Sequence, residues 1–387
     1  LRTEGASVGL DKTNEELLLD FISSVRRNPM ALASLVGYLR TVQDVYTFED
    51  MVGRGKLFEE LDEYQHAEDR TKYLIKKQIA AQSDELKILL CALAFFDRPL
   101  PVQALEVFLP DRAGEHIARL SRHNLANLIV GARGTRRYEL HSFFSELTHQ
   151  DEFYDRFLFS LDEDLAASFL VKGNAEYEAT YFRRAIDLYD CAIAIYEPLA
   201  RQRPEIANDL AGAYMNKGVA LDSLGRLEDA IAEYDKAIAI REPLAKQRPE
   251  IANDLAMAYT NKGNALSDNS KWADALAYYN QATQLWVALI LKDKRLELLP
   301  LWLKVNRLGL LPLAKLKRWE AAAAKIIEVI DLYGRLMQSG QLPNPDAAQQ
   351  EFAQFIYTLR QWPKSDRKKV YKSAREWAEV LREVMEE

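Results

Sequence analysis

Apolar residues recur at helical spacing along most of this chain. In the second half, Leu210, Tyr214, Leu221 and Leu224 fall on one face of a predicted helix. Gly225-Arg226 interrupts the run, and Leu227-Glu228-Asp229-Ala230-Ile231 restarts it. The restarted helix carries Ala230, Tyr234, Ala237 and Ile238 on one face. The first 80 residues also read as helices. Asn14 caps one through Phe21 and Val25, and Asn28 caps another, with Pro29 in its first turn and Leu32, Leu35, Val36 and Leu39 along one side. Residues 84–149 have a different texture. Leu86, Leu89, Leu90 and Leu93 form a stripe, a short helix follows over Val102 to Phe108, and Ile117, Leu120 and Leu125 mark a third. Leu128-Ile129-Val130 and Arg137-Tyr138-Glu139-Leu140-His141 then read as two strands around a glycine-containing turn, and Ser142 begins another helix.

The helical pattern repeats. Gln202-Arg203-Pro204-Glu205-Ile206-Ala207-Asn208-Asp209-Leu210-Ala211 returns 45 residues later as Gln247 to Ala256. Lys172-Gly173, Lys217-Gly218 and Lys262-Gly263 keep the spacing, as do Ala185, Ala230 and Ala275, and Tyr189, Tyr234 and Tyr279. A degenerate fourth copy follows, where Trp319-Glu320-Ala321-Ala322 echoes Trp272-Ala273-Asp274-Ala275. Each copy predicts two helices. Pro204 and Pro249 suit a first turn, where a missing N–H is harmless. Pro198 and Pro243 are expected to kink or end the second helix. Gly218 and Ala230 are small enough for the paired helices to approach closely.

Tyr214, Gly218, Ala230, Tyr234 and Ala237 resemble the tetratricopeptide repeat, here lengthened beyond its usual span of about 34 residues, as in kinesin-light-chain-like proteins. That resemblance implies an α-solenoid with a groove lined by the first helices. By its offsets the groove presents Asn174, Asn216, Asn261 and Asn264, with Asp222 and Asp268. Asparagine can hold a peptide backbone through paired donor and acceptor, so the expected occupant is a protein or peptide ligand.

The first half has a family resemblance too. Asn28-Pro29-Met30-Ala31-Leu32 resembles the lid motif of STAND-class signalling ATPases, the class of NB-ARC proteins and MalT-like activators. Leu140-His141-Ser142 lies where that class has a Met-His-Asp-type motif at the end of a winged helix, and repeats come last in both. Ser142 stands in place of the family Asp, and Asn28 in place of the Gly. The resemblance implies that Pro29 packs on adenine and His141 reaches a phosphate of ADP. The expected fold is therefore all-α: a helical lid over 1–80, a winged helix with a two-stranded wing over 81–150, an acidic linker over 151–164, a tetratricopeptide solenoid over 165–340 and capping helices over 341–387.

Composition narrows the chemistry. The 387 residues are 48% hydrophobic and 28% charged, with a net charge of −7, which gives no general pull towards nucleic acid or anionic membrane. No apolar run approaches a membrane span. Cys91 and Cys191 sit in apolar helical patterns, as buried reduced thiols of a cytoplasmic protein do. No phosphate-binding Gly-x-x-x-x-Gly-Lys-Ser/Thr, metal-ligand spacing or nucleophile motif is present, so neither catalysis nor a metal is expected. No cofactor is expected in this chain, whereas ADP or ATP would bind a nucleotide domain in cis, upstream of Leu1. The local basic cluster Arg112, Arg119, Arg122, Arg133, Arg136 and Arg137 supports an alternative, a winged-helix DNA-binding regulator. A plain adaptor is the third reading.

Overall fold

The computed structural model describes residues 67–386 apart from 124, 132–134, 141, 151 and 341. Most of the lid region, with Pro29, and also Arg133 and His141, therefore lie outside the described residues. The chain is all-α with a minor sheet. It divides into two compact units. One holds the described residues through Glu176 with Asp190–Ile195; the other holds Tyr177–Tyr189 and Tyr196–Glu387.

The first unit runs α1 (Ala67–Ala80), α2 (Asp84–Phe96), β1 (Leu100–Pro101), α3 (Val102–Leu105), α4 (Ala113–Arg122), β2 (Asn127–Val130), β3 (Arg136–Glu139), α5 (Ser142–His149), α6 (Glu152–Phe159) and α7 (Glu163–Glu178, to Glu176 in this unit). The predicted stripe of α2 is buried at Leu86, Leu89, Leu90 and Leu93, against Ile117 and Leu120 of α4. The two predicted strands pair antiparallel, from Asn127 opposite Glu139 to Val130 opposite Arg136. A third strand escapes the sequence pattern. β1 pairs Leu100 with Tyr138 and Pro101 with Arg137, so β3 is central. Two residues carry no detectable period, and the surrounding prolines hold the backbone extended. α6 falls within the stretch read as an acidic linker: its carboxylates are on the surface, but Tyr154 and Phe157 are buried among Phe95 and Phe108.

The second unit continues the pairs. α8 (Phe182–Gln202) contributes to both units. Then come α9 (Ala207–Ser223) with α10 (Leu227–Gln247), α11 (Ala252–Asp268) with α12 (Trp272–Leu291), and α13 (Leu299–Lys315) with α14 (Trp319–Ser339). Three-residue turns make each pair antiparallel. α10 packs on α11, and α12 on α13. In the stretch read as capping helices, three segments appear: α15 (Pro345–Arg360), α16 (Lys364–Ala374) and α17 (Ala378–Glu386).

Pro198 and Pro243 do not end their helices, which run on to Gln202 and Gln247. The stop is set by the next proline. Arg203 and Arg248 precede Pro204 and Pro249, a position that disfavours the helical region, and both are extended, with φ near −129° and −128°. The helix-to-helix turn uses a left-handed residue each time: Thr180, Gly225, Ser270 and Lys317.

Candidate functional site

The repeats spend most of their recurring polar residues on themselves. The Tyr214 hydroxyl donates to Glu197, and one repeat later Tyr259 donates to Glu242 at 2.8 Å. Burial first, and then the glutamate, push both phenols well above the ordinary tyrosine range. Asn208 accepts from Arg241 Nε at 3.0 Å, and Asn253 accepts from Trp286 Nε1 at 2.9 Å. The recurring asparagine thus binds first helix to second, whatever donor the second supplies.

The close approach expected at Gly218 is real, and its partner is aromatic. An added Cβ there would lie 2.5 Å from the Tyr234 ring, and at Gly263 2.6 Å from Tyr279. Ala230 is fully buried in the same packing.

What remains is the open face of the first helices. On α11, Met257 and Asp268 are exposed, and Asn261 and Asn264 half-buried; on α9, Asn216 and Asp222 are half-buried. Asn174, on α7, is exposed. Of the expected groove residues, Asn264 is already engaged, accepting from the Tyr279 hydroxyl at 2.8 Å. Asp222 and Asp268 lie near enough to repel: burial first, and then Asp268, raise the Asp222 carboxyl above its ordinary range. The fourth first helix, α13, extends the face with residues the asparagine pattern could not flag. Lys304, Leu311 and Lys315 are exposed and Leu308 half-buried. Their signal was the phase of the fourth copy, shifted by two residues after Ser270, since Trp319 follows Trp272 by 47.

The basic cluster of the first unit is partly tied down. Arg112 pairs with Glu85, whose other oxygen meets His116 Nε2 at 2.9 Å. Hydrogen bonding from His116 is the main reason that Glu85 sits below the ordinary carboxylate range. Arg137 Nη1 donates to the Pro99 carbonyl at 3.4 Å. Arg119 is half-buried, while Arg122 and Arg136 are exposed. Cys91 and Cys191 are buried thiols not joined in a disulfide, and Arg98 Nη2 donates to Cys191 Sγ at 3.5 Å. Among the described residues no helix is long and apolar enough to cross a membrane.

The sequence matches the tetratricopeptide repeat family over residues 211–243, most of α9 and α10. No curated protein sequence matches the chain. Among solved structures, BtubC (BKLC) from P. vanneervenii is similar at 17% identity over 62% of this chain and 86% of that one, with a TM-score of 0.40. The apo form of RapI is similar at 12% identity over 96% and 97%, TM-score 0.38. A STAND protein with a tetratricopeptide repeat sensor from Pyrococcus horikoshii is similar at 13% identity over 91% of this chain and 60% of that one, TM-score 0.22. Residues 211–243 thus carry a tetratricopeptide repeat, and the antiparallel helix pairs that follow continue its two-helix plan.

Proposed function

We propose that the repeats hold a segment of a partner protein on the open face of α9, α11 and α13, and that this chain is the sensor part of a nucleotide-dependent switch. One observation carries the binding reading. Asn216 and Asn261 are half-exposed at equivalent places, 45 residues apart, on adjacent first helices. Amides so spaced suit a peptide backbone crossing the helices. The test begins with peptides selected on the full chain from a random display library. Asn216→Ala with Asn261→Ala should weaken the selected peptides about tenfold, the effect of losing roughly two neutral hydrogen bonds, with the melting temperature unchanged. Equal affinity would move binding to another surface.

The switch reading rests on the resemblance of the sequence motifs and is supported by the order of elements in the first unit. Helix, strand, two helices and two strands, with β3 between β1 and β2, suit a winged-helix relay. A nucleotide domain in cis would supply the phosphate that His141 contacts. A hydrogen bond to a charged group contributes about 1.5–3 kcal/mol, so His141→Ala in a protein carrying that domain should shift the closed–open balance by roughly one to two decades. Basal activity indistinguishable from wild type would refute the switch and leave a plain adaptor.

A further inference from the structure

The open face is not uniform along the solenoid, and its polarity bears on the partner. α9 and α11 each carry an aspartate in the last turn, Asp222 and Asp268, and neither forms an ion pair among the described residues. Carboxylates in the last turn also face the negative end of their own helix dipoles. No cation offsets that arrangement among the described residues, and burial, with repulsion from Asp268, raises the Asp222 carboxyl.

α13 is the reverse. Its residues Leu299–Lys315 include Lys304, Arg307 and Lys315 and no carboxylate. Arg307 reaches Glu351 at 3.4 Å, but Lys304 and Lys315 have no carboxylate partner among the described residues. Leu311, 47% exposed, and Leu308 stand between these lysines, at the places where α11 has Asn264 and Asn261. Two leucines thus stand where α11 has two amides, giving α13 an apolar spot bracketed by two lysines.

From this we infer that the occupant of the open face is a charge-polarised peptide segment. A lysine or arginine lies against Asp222 and Asp268, and an apolar side chain flanked by a carboxylate lies against Leu308, Leu311 and the lysines of α13. This rests on the groove reading above and adds the partner's chemistry and direction. Packed helices stand about 8–10 Å apart and an extended chain advances about 3.3–3.6 Å per residue. The basic residue and the apolar–acidic pair should therefore be separated by roughly three to six residues. The acidic half binds by charge and the α13 half by burial, so salt should weaken the first more than the second.

The selected peptides decide it. The expected winners share a basic residue followed or preceded at that spacing by an apolar–acidic pair. Asp222→Asn with Asp268→Asn, both isosteric, should weaken them about tenfold at low ionic strength in fluorescence anisotropy, the upper end for two exposed ion pairs. The same change should have no effect on a peptide whose basic residue is replaced by glutamine. Leu311→Ser should weaken both peptides, and Lys315→Glu should favour peptides with the carboxylate made basic. Winners that need Asn216 and Asn261 but ignore the aspartates and Lys315 would overturn the polarity and keep the groove. Winners insensitive to all of these would overturn both, as would a library that yields none.

Discussion

The third and fourth repeats share one backbone plan and solve its interior differently. Gly263 faces Tyr279 in the third; 47 residues on, the same places hold Leu310 and Ile326, both fully buried. A glycine–tyrosine pair and a leucine–isoleucine pair fill similar space, so volume is shared between the helices instead of being assigned to either. Charge moves in the same way. Lys262 of the third repeat reaches Asp235 and donates to the Tyr278 hydroxyl at 2.6 Å. In the fourth, Gly309 takes the place of Lys262, and the lysine is on the other helix: Lys325 donates to Asn306 at 2.7 Å. Burial pulls the Lys262 ammonium down, but its two bonds outweigh that and leave it above the ordinary lysine value. Lys325 has only Glu328 to oppose burial, and its pKa is lowered. The comparison teaches that the repeat conserves the filling of a slot, not the residue that fills it.

That claim can be broken most sharply at the glycine. Gly263→Leu should destabilise the chain by about 3 kcal/mol, since the new side chain meets a ring held in place. Gly263→Leu with Tyr279→Ile should recover most of the loss. Urea midpoints for the two singles and the double give the coupling, and strictly additive effects would show that volume is not shared.

A smaller effect separates the two lysines. Lys262→Met removes a buried cation with two partners and should cost about 2 kcal/mol through the loss of both charge-assisted hydrogen bonds. Lys325→Met removes a cation that burial disfavours but leaves the fully buried Asn306 Oδ1 without its donor, so the two effects should roughly cancel, to within about 1 kcal/mol at neutral pH. The wild-type penalty at Lys325 should also ease as pH rises from its lowered folded value towards the unfolded lysine value. In that window the unfolded state binds more protons, so stability rises with pH. Equal losses from the two substitutions in chemical denaturation at neutral pH would erase the distinction.

The turns differ by about 1 kcal/mol. Gly225→Ala should destabilise by that amount, because a side chain is strained at positive φ. Ser270→Gly at the equivalent turn should stabilise by up to the same amount, less the entropy that glycine adds to the unfolded chain. Matching signs in thermal melts would contradict it. The smallest effect is at the surface. Asp222→Asn should stabilise by no more than about 1 kcal/mol at neutral pH, since the group is half exposed and screened. Its folded pKa lies above the unfolded value, so the penalty of ionising it in the fold grows as pH rises through that interval. Below the unfolded value both states are protonated and the gain should vanish, which a pair of melts at acidic and neutral pH would check.

Much of this was legible in residues. The 45-residue period, the helix pairs and the close approach at small residues follow from periodicity and residue size, whereas the groove asparagines came only from the offsets of the repeat resemblance. The fourth copy was recognisable at Trp319 but not at Leu310 or Lys325, because complementary changes on two helices hide from a reading made one helix at a time. Thr180, Ser270 and Lys317 were invisible as turn residues for a similar reason: at these turns, as in each pair, the surrounding packing imposes a left-handed conformation that only glycine advertises. In the candidate groove, Asn264 read like Asn261 in sequence, yet the Tyr279 hydroxyl engages it.

By itself, the sequence determined the local period, the breaks and the apolar faces, because these depend on neighbours within a turn or two of helix. The tertiary structure decided which polar residues are consumed between helices, which lysine is stabilised as a cation and which is not, and which short segment joins a sheet. Those outcomes depend on partners far along the chain, where geometry selects among residues of the same chemical type.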